Sequence, residues 1–285
     1  MIMEMRSMWD RFRERLSQRV FCQAAQTARS TLRYEGEPES PFDQEVREAT
    51  VDLAWERTEA GSPMVTHLLR RLGYPVNHKR IERIWQEEEL QVPRKRTRPR
   101  VSGTPWQREI AATEPNEVWC YDFLFEKTRR GLEMKMLAVV DEHTRECLAV
   151  HVDERIDSTG VRAVLAGLMA ERGVPRYIRS DNGSEFKAGW LQDWLRRQGT
   201  TPMYIDPGSP WQNGFAESFN GTFRRECLDR ETFGSRLELQ VVADWWRKYY
   251  NEHRPHSSLG YRTPAEAAKA PPGGPSRGGN QCFLN

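Results

Sequence analysis

Three acidic side chains have the types and spacing to do chemistry. Asp122 stands in Trp-Cys-Tyr-Asp-Phe (119–123) and Asp181 opens Asp-Asn-Gly-Ser-Glu-Phe (181–186). Glu217 lies in Asn-Gly-Phe-Ala-Glu-Ser-Phe-Asn-Gly (213–221), with 35 residues between it and Asp181. Three carboxylates brought together can hold two divalent cations about 3.5–4 Å apart, activating a nucleophile and steadying the leaving oxygen at a phosphodiester. An all-oxygen donor set facing phosphate suits a hard octahedral cation, so two Mg²⁺ ions are expected, with Mn²⁺ able to substitute.

The chain has 41 acidic residues, so context must single these three out. Asp122 falls inside a predicted strand, where a buried charge needs a partner; a metal ion or a salt bridge would serve. Asp141 competes with it, but lies at a predicted turn, where aspartate commonly accepts local backbone hydrogen bonds. Asp181 ends a predicted strand. Asn-Gly after it is ordinary turn chemistry, yet ligands of open α/β sheets sit beyond such strand ends. On a helix, Asn213, Glu217, Asn220 and Arg224 step by 4, 3 and 4 and share one polar face, while Phe215, Phe219 and Phe223 occupy the other. An ordinary amphipathic surface helix has the same division.

The elements that must position these residues follow from periodicity. Strands are predicted over 118–125, 134–140, 147–152, 176–179 and 201–205, and helices over 158–172 and 186–198, the latter burying Trp190, Leu191, Trp194 and Leu195. A further helix crosses Glu217. Val241, Val242, Trp245, Trp246, Tyr249 and Tyr250 mark another, packed on a core. Three strands followed by alternating helix and strand predict an α/β domain with a mixed sheet.

Residues 1–90 read as helical. A helix over 64–72 places Val65, Leu68, Leu69 and Leu72 together and stops at Gly73; Asn77 caps a second helix, 78–89, with Ile81, Ile84 and Trp85 on its apolar side. This is a helix-turn-helix or a plain helical hairpin, and its second helix offers Lys79, Arg80 and Arg83 to DNA. Residues 91–114 form a basic linker, with Arg94, Lys95, Arg96 and Arg98 able to track phosphates. The catalytic core is expected over 115–235, a C-terminal helix and extension over 236–270, and a disordered tail over 271–285.

Net charge is only +2, but residues 61–110 carry eleven Lys/Arg against five Asp/Glu, the local excess expected of a phosphate-binding surface or a solvated face. Five cysteines without C-x-x-C spacing predict reduced thiols rather than a zinc ribbon. No apolar run approaches the roughly 18–20 residues of a membrane span, and no leader pattern is present, so a cytoplasmic protein is expected.

In this order and in these local sequences, the three acids resemble the D,D(35)E core shared by retroviral integrases and bacterial insertion-sequence transposases. More closely, the chain resembles the second-reading-frame product, OrfB, of two-frame insertion sequences. The resemblance rests on Val-Val-Asp-Glu-His-Thr-Arg-Glu-Cys-Leu-Ala (139–149), Ser-Asp-Asn-Gly-Ser-Glu-Phe (180–186), residues 208–221 and residues 250–266, which open Tyr-Asn-Glu-His-Arg-Pro-His. Val76-Asn-His-Lys-Arg-Ile-Glu-Arg (76–83) resembles the upstream helix-turn-helix-like region.

The resemblance implies a ribonuclease-H-like core, a mixed five-stranded sheet with flanking helices, preceded by a small all-α helix-turn-helix-like domain. It implies Mg²⁺-dependent DNA cleavage and strand transfer, with Asp122, Asp181 and Glu217 as catalytic and metal-binding residues. Arg224, seven positions after Glu217, would contact DNA near the cleaved end; Lys187, Asn213 and Asn220 are further candidate contacts. The implied partners are double-stranded DNA (element ends and target), an upstream-frame OrfA-type product or a fusion with it, and further copies of the chain on DNA, in the bacterial cytoplasm at the nucleoid. Two other readings are a nuclease of the same fold that cuts without joining, and an inactive DNA-binding regulator.

Overall fold

A computed structural model describes residues 2–33, 39–91, 110–181, 183, 185–186, 188–204 and 213–270. The chain divides into two compact units, residues 1–49 and 50–285. In the first, α1 (Ile2–Phe12), α2 (Gln18–Ala24) and α3 (Arg29–Arg33) gather Phe21, Cys22 and Leu32, with Trp9 against Phe21 at 5.4 Å. Ser17 caps α2 by accepting the Val20 N–H. A fourth helix, α4 (Pro41–Glu56), crosses the division.

The larger unit begins with a helical hairpin, α5 (Ser62–Arg71) and α6 (His78–Glu87). Gly73 turns the chain between them at φ +94°, a conformation that costs glycine little. Asn77 caps α6 through the Lys79 N–H at 3.1 Å, as its position predicts. Ile81, Ile84 and Trp85 are buried, as are Val65 and Leu69, but Leu72 is 65% exposed. Leu72 fell within the expected apolar series; it is the C-cap, where the chain leaves the helix and the periodicity lapses.

Five strands follow: β1 (Val118–Lys127), β2 (Glu133–Asp141), β3 (Cys147–Asp153), β4 (Tyr177–Ser180) and β5 (Thr201–Tyr204). They form one mixed sheet in the order β3-β2-β1-β4-β5, with β1, β2 and β3 antiparallel and β4 and β5 parallel to β1. The two parallel connections carry α7 (Ser158–Arg172) and α8 (Gly189–Arg197). Asp157 caps α7 with two hydrogen bonds of 2.9 Å.

Alternation along the strands builds two cores. Trp119, Tyr121, Leu137 and Val139 face α7 and α8, meeting Val161, Leu165, Leu191 and Leu195. Cys120, Leu124, Met136, Ala138 and Val150 face α9 (Gly214–Glu226) and α10 (Arg236–Glu252), meeting Phe219, Phe223, Trp246 and Tyr250. The chain closes with α11 (Pro264–Lys269), started by a reciprocal Thr263–Glu266 capping box.

Two predicted helices differ in detail. The helix expected from Phe186 starts at Gly189, and Trp190, expected in its buried stripe, is 44% exposed. On α10, Trp246 and Tyr250 are buried, but Val241 is 60% and Trp245 67% exposed. Apolar pairs at 241/242, 245/246 and 249/250 make two adjacent stripes, and a helix lying on a flat sheet buries only one fully. Cys22, Cys120, Cys147 and Cys227 are free and buried. Among the described residues no helix is long and apolar enough to cross a membrane. The strand end at Ile205, the 92–109 part of the basic linker and the tail from Pro271 lie outside the described residues.

Candidate active site

Asp122 lies in β1 between Tyr121 and Phe123, so its side chain takes the opposite face of the sheet from theirs, the face covered by α9. It is half-buried. Its Oδ1 accepts the Phe123 N–H at 2.8 Å and its Oδ2 accepts Asn220 Nδ2 at 2.9 Å. Burial pushes its carboxyl up to about 6; the charges of Asp181 and Glu217 push the same way, against the Phe123 and Asn220 hydrogen bonds. All three acids therefore share one electrostatic field, although they come from a strand, a strand end and a helix.

Asp181 follows β4 directly. Its Oδ1 accepts the Gly183 N–H at 3.0 Å, and a Cβ on Gly183 would stand 3.1 Å from that oxygen, so the turn admits glycine most easily. Glu217 sits in the first turn of α9 and is exposed. Among the described residues, no three His, Cys, Asp or Glu side chains are gathered closely enough to hold a metal ion. Asp122 is nonetheless within electrostatic reach of Asp181 and Glu217. Their all-oxygen chemistry fits a divalent cation.

The polar face predicted for α9 points largely at β1. Asn220 meets Asp122. Arg224, four residues on, pairs with Glu126 at 3.3 Å and donates to the Phe125 carbonyl at 2.7 Å. Asn213, expected on the exposed polar face, is only 3% exposed, with Nδ2 3.4 Å from the Tyr121 carbonyl. The amide oxygen of Asn220 is buried without a hydrogen-bond partner, and flipping the amide would set it against the Asp122 carboxylate. Phe219 and Phe223 anchor the helix in the core, whereas Phe215 is partly buried under the Arg145 guanidinium at 3.5 Å.

Asp141 does what its predicted turn position implies, accepting N–H groups from Asn116, His143 and Thr144 at 2.6–2.9 Å. In the hairpin, Lys79 and Arg83 are exposed on α6 and Arg80 is half-buried. Lys187, Arg94, Lys95, Arg96 and Arg98 lie outside the described residues.

Sequence reasoning passed over two features. Phe186, fully buried, stacks on Phe123 at 4.6 Å and meets Tyr121 edge-on at 4.5 Å. Lys135 of β2 pairs with Glu185. A lone cation in an otherwise apolar strand was the available signal for the second.

A mixed five-stranded sheet in this order with helices on both faces defines an integrase-like, ribonuclease-H-like α/β protein. The fold is similar to that of a chain in the cryo-EM structure of a simian T-cell lymphotropic virus intasome in complex with PP2A regulatory subunit B56 gamma, with a TM-score of 0.51 and 15% identity over 83% of this chain and 80% of that one. Models of an integrase core domain match residues 112–210 and 198–264, and a model of an HTH-like domain matches 41–98. An uncharacterized 31.7 kDa protein of insertion element IS407 from Burkholderia multivorans is 39% identical over 256 residues, covering 89% of this chain and 91% of that protein. Transposase InsD of insertion element IS2A/D/F/H/I/K from Escherichia coli is 31% identical over 218 residues, 72% of each chain. The chain belongs to the insertion-element transposases of OrfB type, with an integrase core and an HTH-like domain.

Proposed function

We propose that this chain cleaves DNA strands at the ends of an insertion sequence and joins them to target DNA, using Asp122, Asp181 and Glu217 as a D,D(35)E metal-binding triad. The observation that carries this reading is the Asn220–Asp122 hydrogen bond, which ties the Asp122 carboxylate of β1 to the helix that carries Glu217, with the charges of Asp181 and Glu217 adding to burial in raising that carboxyl. A half-buried carboxyl raised by burial and two neighbouring acids is a candidate functional group. Bound at these carboxylates, two divalent cations, Mg²⁺ or Mn²⁺, would activate a nucleophile and stabilise the leaving oxygen. Asn220 holds Asp122 in orientation, and the Gly183 N–H does the same for Asp181. Arg224, Lys79, Arg80 and Arg83 are the proposed phosphate contacts on double-stranded DNA. The reading includes an upstream-frame partner, assembly of several copies on paired ends and action at the bacterial nucleoid.

Asp181→Asn tests it on terminal-repeat DNA with Mg²⁺. Losing a metal-binding carboxylate removes several kcal/mol of transition-state stabilisation, so both cleavage and joining should fall more than about 100-fold. Wild-type rates in that variant would overturn the triad. Cleavage without joining by the unaltered chain would instead identify a nuclease of the same fold.

A further inference from the structure

Strand pairing stops short of the aspartates. β1 and β4 are registered only over Val118–Tyr177, Trp119–Ile178 and Cys120–Arg179, two residues before Asp122 and two before Asp181. Side chains must therefore hold the Asp181 segment against β1. Phe186 does part of this by lodging against Tyr121 and Phe123, the residues flanking Asp122. The Tyr204 hydroxyl donates to the Phe186 carbonyl at 3.0 Å, and Lys135 adds a further tie. It stands in β2 opposite Phe125, with its side chain 11% exposed. Its ammonium pairs with Glu185, donates to the Ile156 carbonyl at 3.2 Å and lies 3.7 Å from the centre of the Phe123 ring. One cation thus joins the strand of Asp122, the segment of Asp181 and the entry to α7. A largely buried ammonium is stable only where its surroundings replace water, as these three contacts do.

We infer that Lys135 is a positioning residue: by gripping Glu185 while lying on Phe123, it fixes the spacing of Asp181 from Asp122. This rests on the reading of the two aspartates as metal-binding groups. Lys135 touches neither of them and acts through Glu185 and Phe123. A residue that orients metal-binding groups from behind typically governs affinity or activity by about 10–100-fold.

The test uses the full chain as Lys135→Met, Lys135→Arg, Glu185→Gln and the charge exchange Lys135→Glu/Glu185→Lys, with Asp181→Asn as control. Mn²⁺ binding to the metal-free protein is followed by electron paramagnetic resonance, beside the Mg²⁺ dependence of cleavage, DNA affinity and thermal unfolding. Lys135→Met and Glu185→Gln should each weaken Mn²⁺ binding at least about tenfold and shift the Mg²⁺ dependence in parallel, with DNA affinity within about twofold of wild type. Lys135→Arg should keep most of the binding, whereas the charge exchange sets a carboxylate against the Ile156 carbonyl and the Phe123 ring and should not restore it. Wild-type Mn²⁺ binding in folded Lys135→Met, or a loss in folded Lys135→Arg as large as in Lys135→Met, would overturn the inference. If Lys135→Met does not fold, Glu185→Gln decides alone, because it breaks the same pair from the more exposed side. Undiminished Mn²⁺ binding and cleavage in Asp181→Asn would sink the triad itself, an outcome separate from failure of the Lys135 variants.

Discussion

At Asp122 a single amide decides how the carboxylate faces its neighbours. Asn220 Nδ2 reaches Oδ2 at 2.9 Å, on a group already disfavoured as a charge by burial, Asp181 and Glu217. Asn220→Ala removes a donor from a half-buried carboxylate, which costs about 1–3 kcal/mol at that group. Turnover should fall about 10–100-fold while DNA affinity and its salt dependence stay at wild-type values. Arg224→Ala should do the reverse and lower the slope of log affinity against log salt by about one. Rate and salt-titration measurements on the two variants check this; a lowered slope in Asn220→Ala would return that residue to the DNA surface. Helical stepping put Asn220 beside Glu217 in the sequence. It could not say that this face fronts a strand, because which surface covers a polar stripe is set by tertiary packing. Asp141 was legible from the start, since its partners are N–H groups within its own turn and just before β1.

The same limit operates on whole elements. The order of elements, three strands and then alternating helix and strand, identified the sheet and its mixed character, because a crossover through a helix makes neighbouring strands parallel. Lone helices were less legible: α10 has two apolar stripes in sequence and only one buried in the fold, and Phe186 looked helical while serving as a plug ahead of α8. The irregular segment 253–262 after α10 is similar. His256 closes it by pairing with Arg262 across the backbone, and its ring Nδ1 lies 2.9 Å from the Ser258 hydroxyl. Burial, then Arg254 and Arg145, lower its pKa to about 4 from 6.5. The unfolded chain therefore takes up this proton before the folded one does. The stability contribution is whole above pH 6.5 and is lost as pH falls toward 4, with an upper bound of about 3 kcal/mol. His256→Gln should flatten the difference in urea stability between pH 7 and pH 4.5 relative to wild type. An unchanged difference would show that the ring is not held neutral.

Across the larger unit, the helix-turn-helix-like hairpin is tied to residues 261–266. Arg71 grips both oxygens of Glu266 at 2.9 and 2.6 Å and reaches the Tyr261 carbonyl at 3.3 Å, while His67 stacks on the Tyr261 ring at 3.8 Å. The Arg71 hydrogen bonds, followed by those from Thr263, hold the Glu266 carboxyl down at about 2, so the ion pair persists across the neutral range. Both partners are partly exposed, which limits the pair to about 0–1 kcal/mol; the ring stack adds about 0.5–1.5 kcal/mol. Two contacts of this size set the hairpin's orientation without contributing much to global stability, and local opening is sensitive to losses on that scale. Arg71→Ala/Tyr261→Ala should therefore speed amide exchange across residues 62–87 by about tenfold, since about 1.4 kcal/mol is one decade, while exchange in β1, β2 and β3 stays at wild-type rates. Affinity for terminal-repeat DNA should fall with it if hairpin and core grip one duplex together. Exchange rates in the hairpin that match wild type would show that the C-terminal segment merely lies beside it, and that its orientation is held by other contacts.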